Sequence, residues 1–265
     1  MSENVVEVED VRFAYGDLQV LQGLSLDVPK GQVVAILGGS GSGKSTLLKI
    51  IGGQLTPSTG VVKVMGRNVH ALPSDELYKL RLEIGMMFQT SGLFSDLSVY
   101  ENVAFPIREN FKVSEDVVRR MVLMKLHAVG LRGSRDMRPG DLSGGMTRRV
   151  ALARAIATDP KLMMYDEPFA GLDPISLNQI VELIRTLNTA LGLTSIVVTY
   201  DVKEALKVAD YVYVLGDGVV LGQGTSAEIE SSDDPYISQF VNARPDGPVR
   251  FHFPGPSLEE DLRLQ

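Results

Sequence analysis

The chain has 265 residues, 44% of them hydrophobic and 22% charged, values of a globular protein with enough apolar residues for a sizeable core. A net charge of −7 disfavours a nucleic-acid binder, which needs a basic face, and the lack of cysteine excludes a disulfide framework or a thiolate metal site. The first ten residues are acidic and alternating, unlike a secretory leader, and no uncharged apolar run approaches the ~20 residues that span a bilayer, so a cytosolic chain that reaches a membrane only through a partner is expected.

Residues 5–13 and 18–28 alternate as paired antiparallel strands, with Tyr15, Gly16 and Asp17 as the turn. Residues 32–37 form a continuous apolar run, the mark of a strand buried on both faces. Gly38-Gly39-Ser40-Gly41-Ser42-Gly43-Lys44-Ser45 comes next, and residues 44–51, through Thr46, read as a helix. This is G-x-x-x-x-G-K-[ST] in its required setting, after a buried strand and before a helix. Glycines let backbone N–H groups converge on phosphates without Cβ clashes, and the helix N-terminus adds partial positive charge. Lys44 supplies a point charge to the β- and γ-phosphates of ATP, and the Ser45 hydroxyl reaches Mg²⁺. A glycine-rich turn with a chance lysine is the bland alternative, and the setting speaks against it.

Between about residues 89 and 158 the strand signal vanishes, while residues 115–129 and 143–157 have helical periodicity, so this stretch reads as a helical lobe inserted into a sheet domain. Leu142-Ser143-Gly144-Gly145-Met146 opens the second of these helices. A serine N-cap followed by two glycines exposes backbone N–H groups and makes a second anion site, although alone it would be an ordinary cap. Residues 162–165 are a buried strand that ends in Asp166-Glu167. Carboxylates at the carboxyl end of a parallel strand face the ligand crevice, where Asp166 can hold the Mg²⁺ shell and Glu167 can polarise a water for attack on the γ-phosphate. Another buried strand covers residues 194–199, and alternation with helices marks a parallel α/β sheet. His70, His127 and His252 fall near no motif, and beyond residue 242 Pro and Gly crowd a tail that lacks a regular pattern.

The phosphate loop, Gln89, residues 142–146, Asp166-Glu167 and Gly171-Leu172-Asp173-Pro174 occur in the order and spacing of ABC ATPases, a resemblance that covers about residues 4–242. It implies a RecA-like P-loop α/β lobe, an N-terminal antiparallel β part, an inserted α-helical lobe over about residues 89–158, and an extended tail over 243–265. It also implies roles: Gln89 links nucleotide, through Mg²⁺, to the helical lobe; Tyr15 stacks on adenine; Asp173 communicates between sites. Leu142, Ser143, Gly144, Gly145 and Met146 close on the ATP of a second subunit in a head-to-tail homodimer. At the position where the family has a histidine that contacts the γ-phosphate, this chain has Tyr200.

Phe88-Gln89-Thr90-Ser91-Gly92-Leu93-Phe94, the run from Val99 to Pro106 and the Met146 variant further resemble the ATPases of MCE-type lipid transporters. The segment from Asp246 to Pro254 is similar to the C-terminal extension of the Mla phospholipid-transport group, which implies a contact with the second ATPase subunit through Phe251, His252 and Phe253. The implied partners are an integral-membrane permease dimer, an MCE-domain ring protein and a small STAS-domain protein, with no nucleic acid. The implied place is the cytoplasmic face of a bacterial inner membrane. A soluble ABC protein would carry tandem units, coiled coils or basic insertions, and a small-molecule P-loop kinase would lack residues 142–146.

Overall fold

The computed structural model describes residues 3–249. Its first element is the expected hairpin: β1 (Asn4–Tyr15) and β2 (Leu18–Pro29) pair antiparallel from Asn4 against Pro29 to Tyr15 against Leu18. Tyr15 thus belongs to the strand, and Gly16-Asp17 alone makes the turn. β4 (Thr59–Val64) and β5 (Arg67–Asn68) extend this sheet in the order β2-β1-β4-β5.

The second sheet is built on β3 (Val33–Gly38), buried throughout its length, which runs into α1 (Lys44–Ile51). α2 (Ser74–Leu82) leads to β6 (Ile84–Met87), after which no described residue up to position 158 is in a strand. That span holds α3 (Val99–Asn110), α4 (Glu115–Ala128) and α5 (Gly144–Ala155), the helical lobe. β7 (Leu162–Asp166), α6 (Pro174–Leu191), β8 (Thr194–Thr199) and α7 (Val202–Val208) follow. The chain continues with β9 (Tyr211–Gly216), β10 (Val219–Gly224), α8 (Ser226–Glu230) and α9 (Pro235–Val241).

The strand order is β10-β9-β3-β8-β7-β6, parallel from β9 to β6 and antiparallel at the β10 edge. Three apolar cores hold the layers together. Val6, Val11, Leu24 and Leu26 pack with Ile36, Ile196 and Leu47 between the two sheets and α1. Val33, Tyr165 and Val197 turn the opposite way, onto Val103, Val122, Leu152 and Ile184 of the helical lobe and α6. Ala35, Leu37 and Val214 pack under α7, α8 and α9. The β3 run is apolar at every position because both of its faces are covered.

The tail expected over 243–265 is described only as far as Val249. Between Asn242 and that point it has turns and bends, and the amide of Gln239 on α9 holds it by donating to the Val249 carbonyl (2.7 Å) and accepting from the Val249 N–H (2.8 Å). Phe251, His252 and Phe253 lie outside the described residues.

Candidate active site

The carboxyl ends of β3, β8, β7 and β6 line up along one edge of the parallel sheet, where ligands bind in α/β folds. Four sequence-separated segments therefore become neighbours in the order phosphate loop, Tyr200, Asp166-Glu167, Gln89. Parallel register sets Leu37 level with Thr199 and Asp166 level with Val198.

The phosphate loop enters α1 through Gly43, whose φ of 96° and crowding against Leu21 (2.6 Å for an added Cβ) leave no room for a side chain. Lys44 is buried, and its ammonium donates to the carbonyls of Gly38 (2.8 Å) and Gly39 (3.0 Å). Its pKa is lowered by desolvation, against the pull of Glu167 and Asp166, so the cation lies in a dry place that favours an anion. Ser42 Oγ is buried and has no hydrogen-bond partner within the chain.

Glu167 has the most constrained environment of the set. It is 6% exposed and has a left-handed φ of 48°, a conformation that costs a non-glycine residue ~1–3 kcal/mol and persists where the surroundings enforce it. The enforcement is visible: its N–H donates to the Val198 carbonyl (2.9 Å), and its carboxylate accepts from the Tyr200 N–H (3.2 Å) and lies 3.8 Å from the Lys44 ammonium. Burial raises its pKa, with Asp166 adding to the rise, while the Thr199 hydroxyl, Lys44 and the Tyr200 N–H oppose it. This is a carboxylate made more basic than an exposed one. The Tyr200 side chain is 49% exposed and lines, with Gly39, Ser40 and Ser42, a cavity of about 880 Å³ that continues past Asp217 to α9.

The Ser45 hydroxyl donates to Asp166 (2.8 Å), joining α1 to the end of β7. Gln89 sits exposed in the turn after β6. Tyr15 is half-exposed at the end of β1, edge-on to Phe13 at 4.9 Å between ring centroids. Asp173 caps α6 by accepting from the N–H groups of Ile175 and Ser176. Ser143 caps α5 by accepting from Met146 N–H (3.2 Å), with Ser143 and Gly144 exposed. Gly145, read from sequence as part of an exposed turn, is instead buried: an added Cβ would collide with the Ser176 hydroxyl on α6.

Comparison with known proteins meets this geometry. Residues 21–170 match the family model described as ABC transporter. The chain belongs to the ABC transporter ATPases. An intermembrane phospholipid transport system ATP-binding protein, MlaF, of Haemophilus influenzae is 50% identical over 99% of both chains. Among solved structures, cbiO1 of Clostridium perfringens, part of an ABC transporter complex, superposes with a TM-score of 0.81 at 34% identity over 92% of this chain and 96% of that one. The ATP-binding cassette MJ0796, a dimer bound to ADP and Pi in a post-hydrolysis state, gives 0.76 at 33% identity over 83% and 98%. As an ABC ATPase the chain binds and hydrolyses ATP, and its fold is the mixed α/β cassette with an antiparallel sheet and a helical lobe expected from the sequence. No helix among the described residues is long and apolar enough to cross a membrane.

The donor set of this ABC ATPase suits Mg²⁺. Ser45 and Asp166 bring hard oxygens together, while no group of three His, Cys, Asp or Glu side chains gathers among the described residues to form an all-protein cage. Sequence reasoning missed Thr199, beside the Glu167 carboxylate, and Arg148, which lies at 8% exposure under the site. The latter carried a signal: Gly145, Arg148 and Leu152 share one face of α5, and all three are buried.

Proposed function

We propose that this ABC ATPase is the ATP-hydrolysing subunit of a bacterial intermembrane phospholipid transport system. The observation that carries the reading is the full-length likeness, at 50% identity, to the relative of that name. The subunit works as a homodimer at the cytoplasmic face of the inner membrane, bound to a permease dimer that adjoins an MCE-domain ring, with a STAS-domain protein as a further partner. It binds no nucleic acid. Residues 1–242 are the ATPase domain.

Within each subunit the phosphate loop from Gly38 to Thr46 cradles the β- and γ-phosphates, and Lys44 exchanges its two carbonyl partners for phosphate oxygens. Ser45, Asp166 and Gln89 would hold Mg²⁺. Bound there, the ion would supply positive charge that offsets the negative charge of the phosphates. Glu167 accepts the proton of the attacking water, a task its raised basicity suits, and Tyr200 stands at the γ-phosphate. Tyr15 stacks on adenine. The turn of residues 142–146 covers the neighbour's ATP, and Asp173 relays between the two sites.

Exposed Phe88, Phe94 and Phe105 border a groove of about 430 Å³ between the β6 edge and the helical lobe, and this apolar surface is the permease's docking place. The test is reconstitution of the whole complex in vesicles with labelled phospholipid. ATP-dependent lipid transfer is expected, abolished by Lys44→Ala, which should also weaken ATP binding ~10²-fold or more. Assembly with the permease but transfer of some other solute would overturn the phospholipid assignment and leave the ATPase roles standing.

A further inference from the structure

Arg148 has no part in the chemistry above, yet it is buried at the junction of three segments that do. It lies on the second turn of α5, the helix capped by Ser143. One guanidinium nitrogen donates to the carbonyl of Phe88 (3.2 Å), the residue before Gln89. Another donates to the carbonyl of Ala170 (3.2 Å), midway along the loop from Glu167 to Asp173. That loop is a chain of tight turns, Ala170 N–H on Glu167 O and Leu172 N–H on Phe169 O, so a hold on Ala170 is felt at both of its ends. A planar fork carries two nitrogens far enough apart to reach carbonyls on different loops at once. Desolvation lowers the arginine's pKa, in keeping with a guanidinium drawn out of water into the junction.

From this geometry we infer that Arg148 is a positioning residue: it locks the Gln89 turn and the Glu167–Asp173 loop to α5, so that displacement of residues 143–146 is transmitted to both. The inference rests on the nucleotide-site reading above. α5 is suited to the role because it is a single unbroken helix. Its first turn carries exposed Ser143 and Gly144, Gly145 abuts Ser176 at the start of α6, and Arg148 follows one turn later. Arg154, further along α5, makes a contrasting contact. It donates to the carbonyls of Ser91 (2.8 Å) and Gly92 (2.7 Å) and reaches only the distal part of the first loop.

The test compares Arg148→Met, Arg148→Lys and Arg154→Met by amide hydrogen exchange on the full chain without nucleotide, by ATP affinity, and by turnover in the complex with its permease. Arg148→Met should speed exchange about tenfold or more in residues 88–91 and in 168–172 together. Turnover should fall ~10–100-fold while ATP affinity stays within about threefold, the split expected when reacting groups are misplaced and the phosphate loop is intact. Arg148→Lys should keep the fold and fail to rescue turnover, since one ammonium cannot stand at both positions held by the two guanidinium nitrogens; Arg154→Met should loosen 91–92 and leave 168–172 protected. Unchanged protection in either segment, loosening spread evenly over the chain, or wild-type turnover in Arg148→Lys would overturn the inference. Lys44→Ala is the separate control: should it leave ATP binding intact, the nucleotide-site reading itself fails.

Discussion

Two residues beside each other at the sheet edge show how backbone and side chain divide the work. The Glu167 carboxylate is held by the backbone N–H of residue 200, a bond that any residue but proline can make at that position. The side chain at 200 is therefore free to vary in chemistry, and here it is a phenol, neutral and longer than an imidazole. Tyr200→His is expected to raise turnover in the assembled complex at least tenfold, roughly 1.4 kcal/mol of barrier. Equal or lower turnover in the variant would mark Tyr200 as a working substitute. For Glu167, replacement by Gln keeps the shape and removes the base, so turnover should drop ~10²-fold or more with ATP binding retained. The pH dependence has a definite sign. A carboxyl whose pKa is raised by burial keeps its proton to higher pH, so the base is lost, and activity falls, as pH drops through a midpoint above the ordinary 4.5. The same shift favours the folded state below that ordinary value, and the gain disappears as pH rises through the folded one. A single-turnover pH–rate profile reads the limb directly, and its disappearance in Glu167→Gln would assign it.

At the scale of elements, α5 joins a cap, a packing contact and two loop clamps on one helix. Gly145→Ala tests the packing contact: overpacking against Ser176 should cost ~1–3 kcal/mol, a fall in Tm of several degrees, and Ser176→Gly should restore part of it. Additive effects in that double variant would deny the contact. Two elements that sequence reading missed, β6 and α3, were hidden for different physical reasons. β6 is four residues, Ile84-Gly85-Met86-Met87, with few β-formers and a glycine in the middle. Gly85 is required because a Cβ there would meet the Ala155 carbonyl (2.5 Å) and the Met163 sulfur, a demand made only by packed neighbours. α3 was hidden by Pro106 inside it. The Ser98 cap and the buried Asn102 side chain, which bonds to the backbone of Phe94, Leu97 and Ser98, hold that helix in place.

For the whole molecule, the exposed turn at Ser143-Gly144 lies on the helical lobe, away in sequence from the phosphate loop, and the proposed function has one subunit offer it to the ATP of another. One similar cassette, MJ0796, has two dimeric structures. Glu167→Gln with Mg-ATP should sediment as a dimer and revert to monomer when ATP is withdrawn. Monomers alone under both conditions would mean that the head-to-tail dimer is wrong or needs the permease to form. The amide clamp of Gln239 on Arg244 and Val249 belongs to the same scale, since it sets the direction in which the chain leaves α9.

What the sequence determined by itself is local chemistry: the glycine spacing of residues 38–45, the serine cap at 143, the acid pair at 166–167 and the all-apolar strands that must lie inside. These follow from covalent geometry and short-range periodicity, and each stayed where it was read. Tertiary structure alone decided what those pieces meet. β8 inserts between β3 and β7, and this placement makes Tyr200 the neighbour of both the phosphate loop and Glu167. The left-handed Glu167, the glycine at 145 and the double reach of Arg148 depend on contacts across long stretches of chain, and no short-range pattern encodes a contact whose partner is 22 or 60 residues away.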